Sequence, residues 1–144
     1  MNGGTISGNG ATSNYGDGGG VNNNGDFTMN SGTISGNSAS NSGGGVDNAH
    51  RLVISGTSQI VNNQADTGYG GGILNNPFND LGAVIFDGTG AAIKSNQAHL
   101  PDTLPVGAQW YQGWGVYFTG THAGTPTITN GFDYTTQVTD NTHI

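Results

Sequence analysis

The fold is decided by a nine-residue stretch, Met1-Asn2-Gly3-Gly4-Thr5-Ile6-Ser7-Gly8-Asn9, which returns at residues 29–37 as Met29-Asn30-Ser31-Gly32-Thr33-Ile34-Ser35-Gly36-Asn37. Looser copies follow as Ile60-Val61-Asn62-Asn63, Ile93-Lys94-Ser95-Asn96 and Val138-Thr139-Asp140-Asn141. All of these copies share an aliphatic residue, two spacers and an asparagine. Recurrence of this kind identifies a repeat protein, in which stacked units bury a core that no single unit could bury.

Two further strings recur between these copies. A glycine-rich string reads Gly18-Gly19-Gly20-Val21-Asn22-Asn23 and returns at residues 43–48, 70–75 and, in degenerate form, 113–118. A short apolar segment also recurs, as Phe27-Thr28-Met29, Leu52-Val53-Ile54, Val84-Ile85-Phe86 and Thr127-Ile128-Thr129. Each period therefore holds three short β-type segments, and the early periods are about 25 to 28 residues long.

This arithmetic predicts an all-β fold, a right-handed parallel β-helix with three short strands per coil and about four to five coils. In Thr33-Ile34-Ser35 an aliphatic residue alternates with hydroxyls as in a strand, and no window has helical spacing, so essentially no helix is expected. Residues 1–144 form one predicted domain, with regular coils over 1–98 and irregular coils with long loops or a cap over 99–144.

Coils that stack about 4.8 Å apart place like residues on like, in columns. The predicted aliphatic columns are Ile6, Ile34, Ile60, Ile93 and Val138, and Val21, Val46, Ile73 and Val116. The predicted asparagine ladder is Asn9, Asn37, Asn63, Asn96 and Asn141, with a second corner at Asn23, Asn48 and Asn75. The alternative is that these asparagines are only turn residues, since Asn tolerates the left-handed backbone of a tight corner.

Composition narrows the class of partner. The 144 residues include 28 glycines, no cysteine and only two cations, Arg51 and Lys94, and the formal net charge is −7. Nucleic acids and anionic membrane surfaces attract chains with more cations, so neither is expected as a partner. No apolar run is long enough for a transmembrane helix, so no membrane insertion is expected. The lack of a signal peptide before the first repeat indicates a mature form, or a piece of something longer.

Catalysis is not expected from these residues. A polysaccharide lyase of this shape needs clustered acids and a basic residue, yet Arg51 and Lys94 fall on different strand classes. Glycosidases need paired carboxylates on one face, whereas the predicted column neighbours of Asp47 are uncharged. Asp and Asn do not recur at the nonapeptide spacing of calcium-binding β-rolls, and the histidines are scattered, so no metal and no cofactor are predicted.

The densest aromatic group of the chain comprises Trp110, Tyr111, Trp114 and Tyr117. Aromatic platforms of this kind bind sugars or partner proteins, so these four residues are the candidate binding site. The competing interpretation is a hydrophobic plug that closes the last coil.

The chain resembles the repeats of polymorphic outer-membrane proteins and related adhesin-like surface proteins, through Gly19-Gly20-Val21, Gly44-Gly45-Val46, Gly71-Gly72-Ile73, and Ile34 to Asn37 with its equivalents. Ile stands where that family prefers Phe, and the resemblance covers residues 1–98. It implies an extracellular or cell-surface location and an adhesive, rod-like structural role, with carbohydrate or a host-surface protein as partner.

Met1 lies in the middle of a motif, so either further coils precede it in a longer protein or copies stack end to end. Because an uncovered coil end exposes strand edges that invite pairing, self-association through open coil ends is predicted, giving a structural or adhesive module that stacks into filaments. The alternative is a carbohydrate-active protein that binds or cleaves polysaccharide on a lateral face.

Overall fold

The computed structural model describes residues 1–76, 84–98, 109–111, 116–118, 127–129, 138–139 and 141–143. These residues form nineteen short strands and no helix, so they include no helix that could cross a membrane. The strands belong to four sheets, A to D, and the chain passes through A, B, C and D in turn before it returns to A one coil later. The predicted all-β fold of stacked parallel coils is confirmed and is that of a β-solenoid.

Within each sheet the strands follow one another from the first coil onward. Sheet A comprises β1 (Asn2–Ser7), β5 (Ser31–Ser35), β9 (Gln59–Val61), β13 (Ala92–Lys94) and β18 (Val138–Thr139). Sheet B comprises β2 (Gly10–Ala11), β6 (Ser38–Ala39), β10 (Gln64–Ala65), β14 (Gln97–Ala98) and β19 (Thr142–His143). Sheet C comprises β3 (Val21–Asn23), β7 (Val46–Asn48), β11 (Ile73–Asn75), β16 (Val116–Phe118) and β15 (Gln109–Tyr111). Sheet D comprises β4 (Asp26–Met29), β8 (Arg51–Ser55), β12 (Val84–Asp87) and β17 (Thr127–Thr129).

The prediction of three strands per coil is wrong, because each of the first four coils contributes a strand to all four sheets. The strand that was not predicted is that of sheet B, and each strand of this sheet is only two residues long. In the second, third and fourth coils its one inward side chain is an alanine, and Ala39, Ala65 and Ala98 are all completely buried. A strand this short shows no alternation of apolar and polar residues, which is the pattern by which strands are recognised in a sequence.

The predicted aliphatic columns are confirmed by the strand register. Ile34 pairs with Ile6 on one side and with Ile60 on the other, and Ile93 connects Ile60 to Val138. In sheet C the register partners are Val21, Val46, Ile73 and Val116. A third column in sheet D contains Met29, Ile54 and Phe86, all completely buried. The three columns face one another as a single narrow core.

A left-handed backbone turns the chain from sheet A into sheet B in each of the first four coils. The residue before the ladder asparagine has φ = 67° at Gly8, 61° at Gly36, 56° at Asn62 and 54° at Ser95. L-residues other than Gly and Asn rarely adopt this conformation, since Cβ approaches the following carbonyl oxygen. This corner therefore favours Gly or Asn at the position before the ladder asparagine. Ser95 is the most strained of the four residues, because it is neither Gly nor Asn.

Replacing Ser95 by glycine is expected to raise the free energy of unfolding by about 1 kcal/mol, because glycine relieves the left-handed strain. The matched control is Gly36→Ala, expected to lower stability by a similar amount. A Cβ at Gly36 would meet nothing within 4 Å, so that variant reports the backbone alone. Urea unfolding followed by circular dichroism measures both. A Ser95→Gly protein no more stable than the parent would contradict the assigned corner conformation.

Candidate functional site

The asparagine ladder is a continuous chain of hydrogen bonds along the corner between sheets A and B. Asn63 donates from its backbone N–H and from Nδ2 to Oδ1 of Asn96, both at 3.0 Å. Its Nδ2 also donates to the carbonyl oxygen of Ile34 at 3.0 Å, and its Oδ1 accepts from the backbone N–H and Nδ2 of Asn37. Since Asn37, Asn63 and Asn96 are at most 1% exposed, this pattern supports a ladder rather than independent turns.

The ladder has one exposed member, at its N-terminal end. Asn9 donates from its backbone N–H and from Nδ2 to Oδ1 of Asn37, both at 3.0 Å, and from Nδ2 to the carbonyl oxygen of Ser7 at 3.2 Å. At the other end, Asn141 accepts from Asn96 through Oδ1. In every hydrogen bond between two ladder asparagines, the donor thus lies in the earlier coil and the accepting Oδ1 in the later coil.

A second, shorter ladder follows sheet C. Nδ2 of Asn23 donates to Oδ1 of Asn48 at 2.6 Å, and Nδ2 of Asn48 donates to Oδ1 of Asn75 at 2.7 Å. Nδ2 of Asn75 is buried and has no hydrogen-bond partner among the described residues, and the next register position is Phe118 rather than another asparagine. The second predicted corner is therefore confirmed and ends at Asn75.

The glycine triplet has a packing role beyond turn formation. A Cβ on Gly44 would lie 2.6 Å from the backbone nitrogen of Gln64 and closer still to its carbonyl group, so this segment lies directly on sheet B of the next coil. A Cβ on Gly45 would lie 3.0 Å from Nδ2 of Asn63. Because the triplet has no side chains, sheet B of the next coil and the ladder amides can pack directly against its backbone.

A third hydrogen-bonded column precedes the glycine triplets and was not predicted. Oδ1 of Asp17 accepts from the backbone N–H of Ser42 at 2.9 Å, and Oγ of Ser42 accepts from the backbone N–H of Tyr69 at 3.0 Å. The three residues have different side chains, so no repeated letter marks the column in the sequence. The one signal of this column in the sequence is that each of the three residues lies immediately before a glycine triplet.

Asp47 lies on β7 of sheet C and carries a carboxyl group with a shifted pKa. Burial and, to a smaller extent, the nearby Asp17 carboxylate together raise the pKa of Asp47 to about 6. A pKa above the value of 3.8 for an unshifted aspartate means that the folded state favours the protonated acid. Folding is therefore stabilised by this group below about pH 4, and that stabilisation is lost as the pH rises through 6.

Lowering the pH from 7 to 5 is expected to stabilise the protein, relative to Asp47→Asn, by about 1 kcal/mol or less once the partial exposure of Asp47 is taken into account. Asp47→Asn should be more stable than the parent at pH 7. Asp17→Asn should reduce the pH dependence without abolishing it, because burial of Asp47, the larger cause of the raised pKa, remains. Thermal unfolding of the three proteins at pH 5 and pH 7 measures these differences. Identical pH dependence in the parent and Asp47→Asn would contradict the assignment.

The predicted aromatic site is described in part. Strand β15 pairs antiparallel with β16, with Trp110 opposite Tyr117 and Tyr111 opposite Val116. Tyr117 is the register partner of Leu74, which in turn pairs with Asp47. One row of register partners across sheet C therefore contains Trp110, Tyr117, Leu74 and Asp47, and we call this row the register line. Trp114 and most of the predicted loops over residues 99–144 lie outside the described residues, so the choice between binding site and plug stays a prediction.

The two cations lie apart, as expected. Arg51 begins β8 of sheet D, whereas Lys94 ends β13 of sheet A. Nδ1 of His50 lies 3.1 Å from Oδ1 of Asp26, an exposed contact. Across the part of the chain that the structure describes, no group of three or more His, Asp or Glu side chains could hold a metal ion.

The N-terminal face is the candidate functional surface, and we define it by the edge strands β1 to β4. Among the described strands, each of these pairs along one edge only. Its core residues Met1, Ile6, Val21 and Phe27 are only partly buried, whereas Ile34, Val46 and Leu52 in the next coil are completely buried. At the other end, sheet C terminates in the antiparallel strand β15 rather than in a parallel one. The two ends of the stack are thus different surfaces.

Comparison with known proteins gave no relative: no protein-family model matches the chain, and neither a curated protein nor a solved structure does.

Proposed function

We propose that this chain is an extracellular or cell-surface structural and adhesive module, a right-handed parallel β-helix of the adhesin-like kind. Its N-terminal face would receive a coil of a second copy, so that copies associate through their coil ends. The proposal gives the chain no catalytic role and no cofactor. The mechanical strength of the module would come from the stack of coils. The outward positions of its coils are mainly Ser, Thr, Asn and Gly.

The observation that supports this proposal most is the pairing of β1 to β4 along one edge only, around a partly buried apolar centre. A strand edge of this kind presents backbone donors and acceptors to another strand. A second copy fits this surface because the aliphatic column of sheet A and the asparagine ladder join like residues to like. Its coils supply the aliphatic residue and the asparagine that would continue the columns beyond Ile6 and Asn9.

Association is expected to increase with protein concentration and with salt. Each copy has a formal net charge of −7, and ionic strength screens the repulsion between two such copies. Sedimentation velocity at rising concentration, combined with negative-stain electron microscopy, measures the size of the particles. The proposal predicts particles longer than one coil stack and one β-helix wide. A monomer at every concentration and salt would contradict it.

The matched variants are Ser7→Pro and Ser7→Ala. The N–H of Gly8 donates to the carbonyl oxygen of Ser35 in the next coil, so alternation along the strand points the N–H of exposed Ser7 to the unpaired edge. Proline removes this donor and is tolerated at such an edge. Ser7→Pro should abolish association while Ser7→Ala retains it. Equal association of both variants would show that this edge is not the docking surface.

A second candidate function is binding of polysaccharide on the outer face of sheet C. It is favoured by the register line that joins Trp110, Tyr117, Leu74 and Asp47, which combines aromatic residues with a polar group. Aromatic side chains with neighbouring polar groups are typical of sugar sites. Co-sedimentation with insoluble polysaccharides tests it, with Trp110→Ala as the variant expected to lose retention. A protein that no polysaccharide retains would remove this candidate.

A further inference from the structure

The five ladder asparagines differ in the residue that follows them. Gly10 follows Asn9, whereas Ser38, Gln64, Gln97 and Thr142 follow the others. Asn9 is also exposed, while Asn37, Asn63 and Asn96 are at most 1% exposed. An asparagine followed by glycine is the most reactive toward its own backbone, since no Cβ hinders the approach of the next amide nitrogen to the side-chain carbonyl.

The following amide nitrogens differ in their hydrogen bonding as well. The N–H of Ser38 donates to the carbonyl oxygen of Asn9 at 2.9 Å, and the N–H of Gln64 donates to that of Asn37 at 2.9 Å. Gln97 repeats this contact with Asn63 at 2.8 Å. Gly10 occupies the equivalent position on β2, which among the described strands pairs only with β6, and no acceptor for its N–H lies within the described residues. Its nitrogen is therefore the least restrained of the series.

We propose that Asn9 is a site of spontaneous deamidation, and that its conversion opens the N-terminal end of the asparagine ladder. The backbone nitrogen of Gly10 loses its proton to solvent base and attacks Cγ of Asn9, forming a five-membered imide. Nδ2 leaves as ammonia. Water then opens the imide at Cγ to give aspartate, or at the main-chain carbonyl to give isoaspartate. Neither step changes an oxidation state.

The product cannot make the contacts of the amide. Nδ2 of Asn9 donates to Oδ1 of Asn37 and to the carbonyl oxygen of Ser7, so a carboxylate at this position faces two acceptors. Both hydrogen bonds are lost, and the new negative charge lies beside two partial negative charges. Isoaspartate also lengthens the main chain immediately before β2, where Gly10 and Ala11 pair with Ser38 and Ala39. Modification at this one residue therefore loosens the first coil.

Two other exposed asparagines provide an internal comparison. Asn2 precedes Gly3 and Asn24 precedes Gly25, and neither belongs to the ladder. Asn2 begins β1, whereas Asn24 lies between β3 and β4, so Asn24 is the cleaner control and its conversion should leave β1 and β2 protected. Deamidation at Asn9 is thus distinguished by its structural effect rather than by its chemistry alone.

The test is peptide mapping by mass spectrometry of the whole chain after incubation at mildly alkaline pH. Asn9 should convert while Asn37, Asn63 and Asn96 keep their amides. Gly10→Ser should slow conversion at Asn9 by roughly tenfold, because a side chain now hinders the attack. This variant copies Ser38 at the same register position, and a Cβ there would meet its nearest atom, Oγ of Ser38, at 3.4 Å.

Hydrogen–deuterium exchange of Asn9→Asp tests the structural half of the proposal. This variant should lose amide protection over residues 1–11 and keep it over residues 59–65. Conversion of Asn24 while Asn9 remains intact would overturn the proposal. So would an unchanged rate in Gly10→Ser, or unchanged protection of the first coil in Asn9→Asp.

Discussion

Replacing Asn63 by alanine is expected to lower the free energy of unfolding by about 3–5 kcal/mol. The substitution removes the acceptor used by the backbone N–H and Nδ2 of Asn37, and the donor used by the carbonyl oxygen of Ile34. Because this corner is completely buried, water cannot replace the lost partners. Urea unfolding measures the loss.

Two further variants separate the ladder from a simple turn preference. Asn63→Asp should be strongly destabilising, since it loses both Nδ2 donations and buries a carboxylate. A residue needed only for its turn conformation would accept aspartate with little effect. Asn9→Ala, at the exposed end of the ladder, should cost about 1 kcal/mol. A tolerated Asn63→Asp, or equal losses for Asn63→Ala and Asn9→Ala, would contradict a cooperative ladder.

Replacing Gly44 by alanine is expected to destabilise the protein by about 3 kcal/mol or more, or to prevent folding. The added Cβ would meet the backbone of Gln64, which belongs to sheet B of the next coil and cannot move without breaking its register. Gly71→Ala should behave alike, because its Cβ would meet the backbone of Gln97. Thermal unfolding and the yield of folded protein measure this effect.

Gly25→Ala is the matched control for the glycine triplet. A Cβ at Gly25 would meet nothing within 4 Å, and its φ lies outside the left-handed region, so this variant should stay within about 0.5 kcal/mol of the parent. If Gly44→Ala changed the stability as little as Gly25→Ala, that result would contradict the close contact between the triplet and sheet B.

The features predictable from the sequence are those in which one residue type repeats along a column. Ile34 and Ile60 are alike because parallel register stacks them, and Asn37 and Asn63 are alike because each amide bonds to its neighbour in the ladder. A repeated letter in the sequence therefore becomes a column in the structure. The parallel pairing, the core and both ladders follow from this rule.

The features that the sequence does not predict lack such a repeated letter or are too short for a pattern. Sheet B buries one alanine in each of the second, third and fourth coils, and alanine occurs equally well in many environments. The column of Asp17, Ser42 and Tyr69 uses two different side chains for the same hydrogen bond to the next coil. The raised pKa of Asp47 depends on its burial and on the approach of Asp17, both set by how neighbouring coils stack.

The register of the coils is tested most directly by engineered disulfides, since the chain has no cysteine of its own. Ser35 and Val61 are register partners on β5 and β9, and Val61 also lies diagonally across from Thr33, the register partner of Gln59. A disulfide needs Cα atoms about 4.4–6.8 Å apart, which neighbouring parallel strands provide and diagonal positions do not. Oxidation should therefore close an intramolecular bond in the Ser35→Cys, Val61→Cys protein and not in the Thr33→Cys, Val61→Cys protein. Equal closure of both pairs, or closure of the diagonal pair alone, would contradict the stacked-coil fold in this register.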